Sequence, residues 1–331
     1  GGFESLLAHW EVIRGNPSTL TSAQGKGAPF AGTRFLHGGL SATGDTVVRQ
    51  DIDLLAAGFN PADLDGGAAV EAEAWLRNAN PLGSFDDQIY LRVACLDAAR
   101  QELAAVRTMV AGNNTWVRRT ATGLIPPGTR ALRLEVVGRH RRDADNDSMA
   151  DEVSVRIQRA WPLVNPQITK LPMLQDYRPD AMTLLWETDG NLALHGVDWG
   201  RTNVQENTLT QIETVMIDST HFVHRATLTG LAPETPYGYR VRSGSATSPT
   251  FSFRTAPRRD TPFSVAWWGD SQVNPGVLQQ LVSHMVAQGV DWMGVAGDLA
   301  SNGNSLADWH NYWFQPLEFQ NIAQTRPALF A

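Results

Sequence analysis

Short segments in which apolar and polar residues alternate dominate the first half of the chain. Across residues 1–160, clusters of Gly, Pro, Asn and Asp separate these segments, a pattern typical of an all-β sandwich. In residues 71–76 the alternation places Glu73 and Trp75 on one face of the predicted strand and apolar residues on the other. The same alternation recurs in two further segments, residues 88–95 and 131–136. The pattern therefore predicts a β-sandwich over residues 1–160.

A second β unit is predicted over residues 164–257, after a linker marked by Pro162 and Pro166. Two of its segments alternate like strands, residues 182–186 and 224–228. In residues 231–241, Leu-Ala-Pro-Glu-Thr-Pro-Tyr-Gly-Tyr-Arg-Val, the spacing resembles the E–F corner of fibronectin type III domains, where a Tyr hydroxyl bonds back to the preceding turn. This resemblance implies a fibronectin type III-like sandwich with Tyr237 at its corner.

The hydrophobic period changes in residues 261–331. Residues 263–268 and 290–296 are apolar runs, as the buried strands of parallel sheets require. Between them, residues 275–288 predict a helix. The residues along one side of this helix are Val277, Leu281, His284 and Met285. A capping box that begins at Ser305 starts another helix. The order β-α-β-α predicts the opening of an α/β domain.

Charge and cysteine content narrow the classes of partner and site. The chain has 27 basic and 34 acidic residues, a formal net charge of −7 and a pI near 5.6. This balance gives no general attraction to nucleic acid, which is not expected as a partner. No apolar run approaches the roughly 20 residues that cross a bilayer, so no membrane span is expected. Cys95 is the single cysteine, which excludes internal disulfides and cysteine-based zinc sites.

Two short acidic turns directly follow the two predicted parallel strands, Gly269-Asp-Ser-Gln272 and Gly297-Asp-Leu-Ala-Ser-Asn-Gly303. Ligands bind beyond the carboxyl ends of such strands, so Asp270 and Asp298 are expected to point into one crevice. Converging carboxylates repel each other, and a divalent cation removes the repulsion. Asp270, Gln272 and Asp298 are therefore candidate metal ligands. In the alternative interpretation the two aspartates cap the following helices, but the motif's occurrence on successive strands favours the metal site.

At these turns, residues 261–331 resemble the opening of calcineurin-like metallophosphoesterases. The preceding fibronectin-like unit makes the domain order similar to that of purple acid phosphatases. The resemblance rests on the two Gly-Asp turns, the Asn302-Gly303 pair and the helix that follows. It implies that Asp270 ligates the first of two divalent or trivalent metal ions, that Asp298 bridges both, and that Asn302 supports the ligands. The implied activity is hydrolysis of phosphate mono- or diesters.

The chain departs from that family at three points. Gln272 stands where the family usually has His, although an amide oxygen can still ligate a hard cation. Ser301 stands where purple acid phosphatases carry Tyr, so the ferric-tyrosinate colour is expected to be absent. The Gly-Asn-His segment and the later His ligands do not occur before Ala331. We therefore expect a sequence truncated at its C-terminus, and a chain that is inactive alone.

The N-terminal unit resembles galactose-binding-type jelly rolls, the architecture of carbohydrate-binding modules. The segments that carry this resemblance are residues 1–4, 50–53 and 149–154. It implies that the opening and closing segments meet around a structural calcium ion, with Glu4 and Asp151 at the matching positions. Residues 143–147 add carboxylates without the EF-hand pattern. For this loop, a calcium site and a solvated acidic loop are both open alternatives.

The polar strand faces suggest a sugar-binding platform. Trp75 and Tyr90 are expected to stack on a pyranose ring, while Glu73 and Arg92 supply hydrogen bonds. The favoured interpretation is that this face packs against the next domain or is the solvated side of a sandwich, and the sugar platform is the alternative.

Together these patterns predict three domains: a jelly roll (1–160), a fibronectin type III-like domain (164–257) and the N-terminal part of a metallophosphoesterase domain (261–331). The favoured function is a secreted phosphoesterase, extracellular or periplasmic, which also contacts a polysaccharide or cell-surface glycan. The alternative is a non-catalytic extracellular surface protein. Its carbohydrate-binding function would lie in the jelly roll, and its phosphoesterase segment would be vestigial.

Overall fold

The structure, a computed structural model, describes residues 2–40, 44–78, 87–111, 114–141, 144–158, 165–258 and 261–330. The chain divides into two compact units. Unit 1 comprises Gly1–Val164, Gly190–Leu194 and Glu213–Phe222, and unit 2 comprises Asn165–Asp189, His195–Ile212 and Val223–Ala331. The predicted domain limits near residues 160 and 259 lie outside the described residues and stay predictions.

Strands make up most of the regular structure. Up to residue 158 the elements are β1 (Glu11–Arg14), β2 (Ser18–Leu20), β3 (Phe35–Gly39), β4 (Thr46–Asp53), α1 (Pro61–Asp65), β5 (Ala69–Asn78), β6 (Gln88–Leu96), β7 (Glu102–Thr108), β8 (Val117–Leu124), β9 (Ala131–Arg139) and β10 (Asn146–Gln158). From residue 165 they are β11 (Ile168–Gln175), β12 (Ala181–Thr188), β13 (His195–Gly200), β14 (Asn207–Leu209), β15 (Glu213–Asp218), β16 (His221–Thr229), β17 (Pro236–Ser243), β18 (Ala246–Thr247), β19 (Phe251–Arg254), β20 (Val265–Trp268), α2 (Pro275–Gln288), β21 (Trp292–Val295), α3 (Leu306–Trp309), α4 (Gln315–Glu318), α5 (Ile322–Thr325) and β22 (Ala328–Phe330). A π-helical turn, His310–Phe314, joins α3 to α4, and 3-10 turns lie at Ser22–Gln24 and Phe319–Asn321. No helix in these ranges is both long and apolar enough to cross a membrane.

Unit 1 is a β-sandwich, as the alternation predicts. One sheet runs in the order β1-β4-β9-β6-β7-β15 and the other in the order β2-β3-β10-β5-β8. Neighbouring strands are antiparallel, except that β15 pairs with β7 in parallel. Because β15 falls within residues 164–257, the sequence placed it in the second β unit, whereas its contacts place it in unit 1.

The core of unit 1 lies between the two sheets. Strand β5 shows the predicted alternation, because Ala72, Ala74 and Leu76 are fully buried while Glu73 and Trp75 are partly exposed. The largest fully buried side chains of unit 1 are those of Phe3, Phe35, Leu54, Leu64, Leu76, Ile89, Leu91, Leu96 and Ile125. Side chains from both sheets form this core, so polar side chains that could bind a ligand lie on the outer faces of the strands.

The first part of unit 2 is a second sandwich. Strand β12 lies between β11 and β16, while β13 and β17 form the centre of a sheet with β14, β18 and β19 at its edges. Trp186, Tyr237 and Tyr239 are among the aromatic residues buried between these strands. The predicted tyrosine corner is confirmed, because the Ala232 N–H donates to the Tyr237 hydroxyl oxygen at 2.8 Å.

The second part of unit 2 contains a parallel sheet in the order β20-β21-β22. Helix α2 has the predicted bounds and connects β20 to β21. Its predicted side is correct only at Met285, since Val277 and Leu281 are exposed and the buried side chains are Leu278, Val282 and Met285. These three residues follow the i, i+4, i+7 spacing of one helix face.

Strand β20 is buried on one face only, contrary to the prediction for residues 263–268. The side chain of Trp268 is buried, whereas Val265 and Trp267 are exposed. A strand at the edge of a sheet, covered by a helix on one side, alternates between buried and exposed positions. The apolar run therefore marks a strand correctly but overstates its burial.

Candidate functional site

The two acidic turns lie side by side after β20 and β21. The Asp270 N–H donates to the Gly297 carbonyl at 3.3 Å, and the Gln272 N–H donates to the Asp298 carbonyl at 3.1 Å. The Ser301 hydroxyl donates to the Gln272 carbonyl at 2.8 Å. The parallel pairing of β20 with β21 brings the turns together, because it aligns the carboxyl ends of both strands. The backbone of the two candidate turns is therefore one hydrogen-bonded structure.

Both aspartates have an uncommon backbone conformation. Asp270 has a φ of 55° and Asp298 a φ of 52°, while Gly297 lies at 99°. Positive φ costs a non-glycine residue about 1–3 kcal/mol, and such residues cluster at functional sites. The capping alternative does not hold, because the N-cap residues of the following helices are Asn274 for α2 and Ser305 for α3.

The donor set fits a hard cation in part. The Gln272 side-chain oxygen is buried without a hydrogen-bond partner. The Asp270 and Asp298 residues are exposed, and neither carboxylate forms an ion pair within the described ranges. These groups supply three of the six or more oxygen ligands that a cation such as Ca²⁺ or Mg²⁺ takes. Within the described part of the chain, no group of three or more His, Cys, Asp or Glu residues is placed to hold a metal.

Asn302, the predicted supporting residue, builds the loop before α3. Its side-chain oxygen accepts from the Asn304 N–H at 3.0 Å, and its own N–H donates to Asp308 Oδ2 at 3.0 Å. The Ser305 hydroxyl accepts from the Asp308 N–H and donates to Asp308 Oδ1 at 2.9 Å, which confirms the predicted N-cap. The full capping box is not formed, because the Ser305 N–H donates to the Asn302 carbonyl at 2.9 Å. In this arrangement the Asn302 side chain shapes the loop that carries Ser301.

The predicted calcium residues hold one loop of unit 1. Glu4 accepts from the N–H groups of Thr33 and Arg34 and from the Thr33 hydroxyl, and these bonds lower its pKa. The fully buried Asp151 accepts from the N–H groups of Ala31 and Glu152. Burial raises the pKa of Asp151 despite these bonds. A nearby cation would offset that unfavourable burial, so the pair fits the predicted ion without requiring it.

A lysine ammonium takes the place of a cation at the acidic loop. Lys26 Nζ lies 2.8 Å from Asp145 Oδ2 and 2.9 Å from Asp147 Oδ1. Asp143 lies outside the described residues. The single positive charge of the ammonium offsets one of the two described negative charges, so the loop is partly charge-balanced by the chain itself.

The structure does not bring Trp75 and Tyr90 together. Trp75 lies on β5, where the Phe30 ring stacks on it with centroids 3.7 Å apart. Tyr90 lies on β6, in the other sheet, and is buried, with the guanidinium groups of Arg107 and Arg139 5.0 and 5.5 Å from its ring centroid. The shared aromatic platform is therefore wrong, because the two strands belong to opposite sheets of the sandwich.

The polar partners predicted for that platform are separated in the same way. Glu73 pairs with Arg118 on the neighbouring β8, and the contact lowers the pKa of Glu73. On the other sheet, burial opposes the charge of Arg92. The hydrogen bond to Glu102 and the charges of Glu213 and Glu135 outweigh this effect and raise its pKa. Arg92 therefore has a structural role in an ion-pair network.

Sequence reasoning missed Lys26 and Phe30. Lys26 is one of two lysines in a chain with 25 arginines, and the other, Lys170, also pairs with a carboxylate, that of Glu187. The rarity of lysine in this chain was the one sequence feature that could have drawn attention to Lys26. Phe30 lies in a stretch without strand periodicity, so no local pattern predicted its stacking on Trp75.

Comparisons with known proteins place the second sandwich. Residues 171–255 match the family model described as the purple acid phosphatase N-terminal domain. No curated protein sequence matches the chain. Unit 2 therefore contains a domain related to that N-terminal domain, directly before the β20–α2–β21 segment.

Three solved structures are similar over parts of the chain. The purple acid phosphatase PPD1 from yellow lupin (Lupinus luteus) seeds is 14% identical, with a TM-score of 0.42, over 79% of this chain and 53% of its own. The PhoD structure is 16% identical, with a TM-score of 0.38, over 52% and 40% respectively. The CBM22-1 xylan-binding domain of Paenibacillus barcinonensis Xyn10C is 17% identical, with a TM-score of 0.29, over 46% and 87%. The chain spans about half the length of the lupin phosphatase.

Proposed function

We propose that this chain belongs to a metal-dependent phosphoesterase that hydrolyses phosphate mono- or diesters, with Asp270, Gln272 and Asp298 as metal ligands. The observation that best supports this proposal is the hydrogen-bonded pair of acidic turns at the carboxyl ends of β20 and β21. The match of residues 171–255 to the purple acid phosphatase N-terminal domain supports the proposal, because this domain directly precedes the turns.

The three ligands have different roles in this proposal. Asp270 and Gln272 would hold one ion, and Asp298 would contribute its carboxylate to both. When bound, such ions stabilise charge on the phosphoryl oxygens and supply a hydroxide. The chain's own residues place two negative charges and one neutral amide oxygen at one sheet edge. The left-handed backbone conformation of both aspartates supports the proposal, because such uncommon conformations cluster at functional sites.

The experiment is a titration of the chain with Mn²⁺, followed by electron paramagnetic resonance of the free ion. Asp298→Asn and Asp270→Asn are each expected to weaken Mn²⁺ binding at least about tenfold, and Gln272→Ala less, since an amide contributes a dipole rather than a charge. Asp180→Asn is the matched control, because Asp180 is exposed in the same unit and pairs with Arg258. Equal Mn²⁺ affinity in the Asp270→Asn/Asp298→Asn double variant and the wild type would overturn the proposal.

A second proposal concerns the N-terminal sandwich, which we infer to be a carbohydrate-binding module of an extracellular or periplasmic protein. The Phe30–Trp75 stack supports it, because Phe30 is 41% exposed and offers a flat aromatic face to a sugar ring. Electrophoresis in polysaccharide-containing gels tests it. Phe30→Ala and Trp75→Ala should abolish the retardation, and Tyr90→Phe should preserve it because Tyr90 lies in the other sheet. Absence of retardation of the wild type by any glycan would reject the proposal.

A further inference from the structure

A polar pocket of about 210 Å³ opens in unit 2, away from the acidic turns. Its polar lining consists of Tyr177, Ser252, Arg254, Asp291, Thr325 and Arg326. Phe253 and Pro236 add an apolar wall. The lining comes from strand β19, from the end of helix α5 and from the segment that enters β21. The pocket can therefore hold a small molecule between the second sandwich and the parallel sheet.

Two guanidinium groups without a carboxylate partner give the pocket its character. Within the described residues neither Arg254 nor Arg326 forms an ion pair, and the Arg326 side chain donates only to the Thr325 carbonyl, at 3.1 Å. By contrast, Arg240 and Arg242 of the same unit both form ion pairs with the Asp198 carboxylate. Unpaired guanidinium groups are the side chains best suited to bind carboxylate or phosphate.

Hydroxyl groups complete the set of donors. The Tyr177 and Ser252 hydroxyls have no hydrogen-bond partner within the described ranges. Burial raises the pKa of Tyr177, and the Asp291 carboxylate raises it further, so this phenol stays protonated and can donate. Arg254 and Arg326 oppose that shift, and Glu234 adds to it.

The Asp291 carboxylate is the acidic group in the lining of the pocket. Its Oδ2 accepts from the Ser264 N–H at 2.8 Å and from the Ser264 hydroxyl at 3.2 Å. These two hydrogen bonds restrict the rotation of the Asp291 side chain. A ligand group that contacts this carboxylate must be a donor such as a hydroxyl, because an anionic group there would be repelled. The lining therefore offers guanidinium groups for an anionic group of the ligand and a carboxylate for its donors.

We propose that this pocket binds a small hydroxylated organic anion, whose phosphate or carboxylate group is held by Arg254 and Arg326 and whose hydroxyl groups face Asp291. The site is independent of the proposed metal centre, since it uses none of its residues. Phosphate and carboxylate share the recognition chemistry, and the two arms of the experiment distinguish them.

The experiment is isothermal titration calorimetry of the full chain at low ionic strength, in buffer freed of metal by a chelating resin. Inorganic phosphate is the probe of one arm and malate that of the other. Saturable binding in one arm is expected, with a loss of at least about tenfold in affinity in Arg254→Gln and in Arg326→Gln. Arg258→Gln is the matched control, since Arg258 is exposed nearby in the sequence and already pairs with Asp180.

Two further results separate this proposal from the metal centre and from misfolding. Asp298→Asn should leave the affinity unchanged, so binding that disappears in this variant would assign the ligand to the acidic turns and overturn the proposal. Arg254→Lys, which keeps the charge but loses the planar fork, should bind more weakly than the wild type and more tightly than Arg254→Gln. Binding unchanged in the Arg254→Gln/Arg326→Gln double variant, or no saturable binding in either arm, would also overturn it.

Discussion

The imidazole ring of His195 stacks on that of His224, with ring centroids 3.8 Å apart and an interplanar angle of 28°. The Ser243 hydroxyl lies 2.9 Å from Nδ1 of His195, and the Thr188 hydroxyl lies 2.7 Å from Nε2 of His224. Burial lowers the pKa of His195 to about 3, and burial with the neighbouring ring lowers that of His224 well below its usual value. Both rings are therefore neutral at pH 7.

This pair should make unit 2 sensitive to acid. A histidine in the unfolded chain has a pKa of about 6.5. Below that pH the unfolded chain therefore binds protons at these two histidines, whereas the folded chain does not. Stability is fully present above about pH 6.5 and is lost as the pH falls toward the folded pKa, by up to about 1.4 kcal/mol per pH unit and histidine. Urea unfolding between pH 7.5 and 4.5 measures this slope, which His224→Gln should reduce.

His221→Gln provides the control for the pH experiment. His221 lies on the same strand, but its ring is partly exposed and contacts the Asp218 carboxylate at 2.8 Å. A slope that falls equally in His221→Gln and His224→Gln would contradict the assignment of the acid sensitivity to the stacked pair.

Gly297→Ala should destabilise the turn that carries Asp298. Gly297 has a φ of 99°, a conformation in which a Cβ is strained even though no atom lies close to it. The expected loss is about 1–2 kcal/mol in the free energy of unfolding, together with weaker Mn²⁺ binding. Gly303→Ala is the control, because Gly303 also has open space but an ordinary φ, and its effect should stay within about 1 kcal/mol. Similar losses in both variants would argue against backbone strain as the cause.

Calcium should stabilise unit 1 through Glu4 and Asp151. An ion that binds only the folded state raises the melting temperature by mass action. Differential scanning calorimetry with Ca²⁺ and with a chelator should show a higher transition with Ca²⁺, and Glu4→Gln should remove the difference. The exposed Glu11, paired with Arg49, supplies the control variant Glu11→Gln. If the wild type melts identically in both buffers, Glu4 and Asp151 serve only to hold residues 31–34.

Local patterns predicted those parts of the fold that depend on neighbours in sequence. The corner at Tyr237 and the cap at Ser305 each involve residues within five positions of one another, so their spacing was sufficient. The alternation of β5 was equally local. The buried side of helix α2 could not be predicted from its local sequence. Val277, Leu281 and Val286 make the exposed side apolar too, so only packing against the rest of the unit distinguishes the two sides.

The sites depended more on long-range contacts. The parallel strand order sufficed to bring Asp270 and Asp298 into one structure, because βαβ connectivity dictates which strand ends meet. Trp75 and Tyr90 have the same local pattern, and only strand pairing reveals that they belong to different sheets. Lys26 is 119 residues from Asp145 in the sequence, so no local spacing could predict that ion pair.

Removal of one partner of the Lys170–Glu187 ion pair should strongly destabilise unit 2. Lys170 Nζ lies 2.5 Å from Glu187 Oε1, and the two side chains are only 10% and 7% exposed. The Phe314 ring lies 5.1 Å from the ammonium, and the Thr169 hydroxyl donates to the same carboxylate oxygen at 2.9 Å. Removal of one partner leaves a buried charge uncompensated, so Lys170→Met or Glu187→Leu should each cost about 3–5 kcal/mol.

The double variant Lys170→Met/Glu187→Leu should be less destabilised than the sum of the single variants, because it buries no charge. Urea unfolding of all four proteins at pH 7 gives the coupling energy, expected to exceed about 1.5 kcal/mol. The exposed pair Arg225–Asp176, 3.5 Å apart with both side chains about half exposed, is the matched control and should couple by less than about 1 kcal/mol. Additive losses at Lys170 and Glu187 would show that the two side chains stabilise unit 2 through their packing and not through their charges.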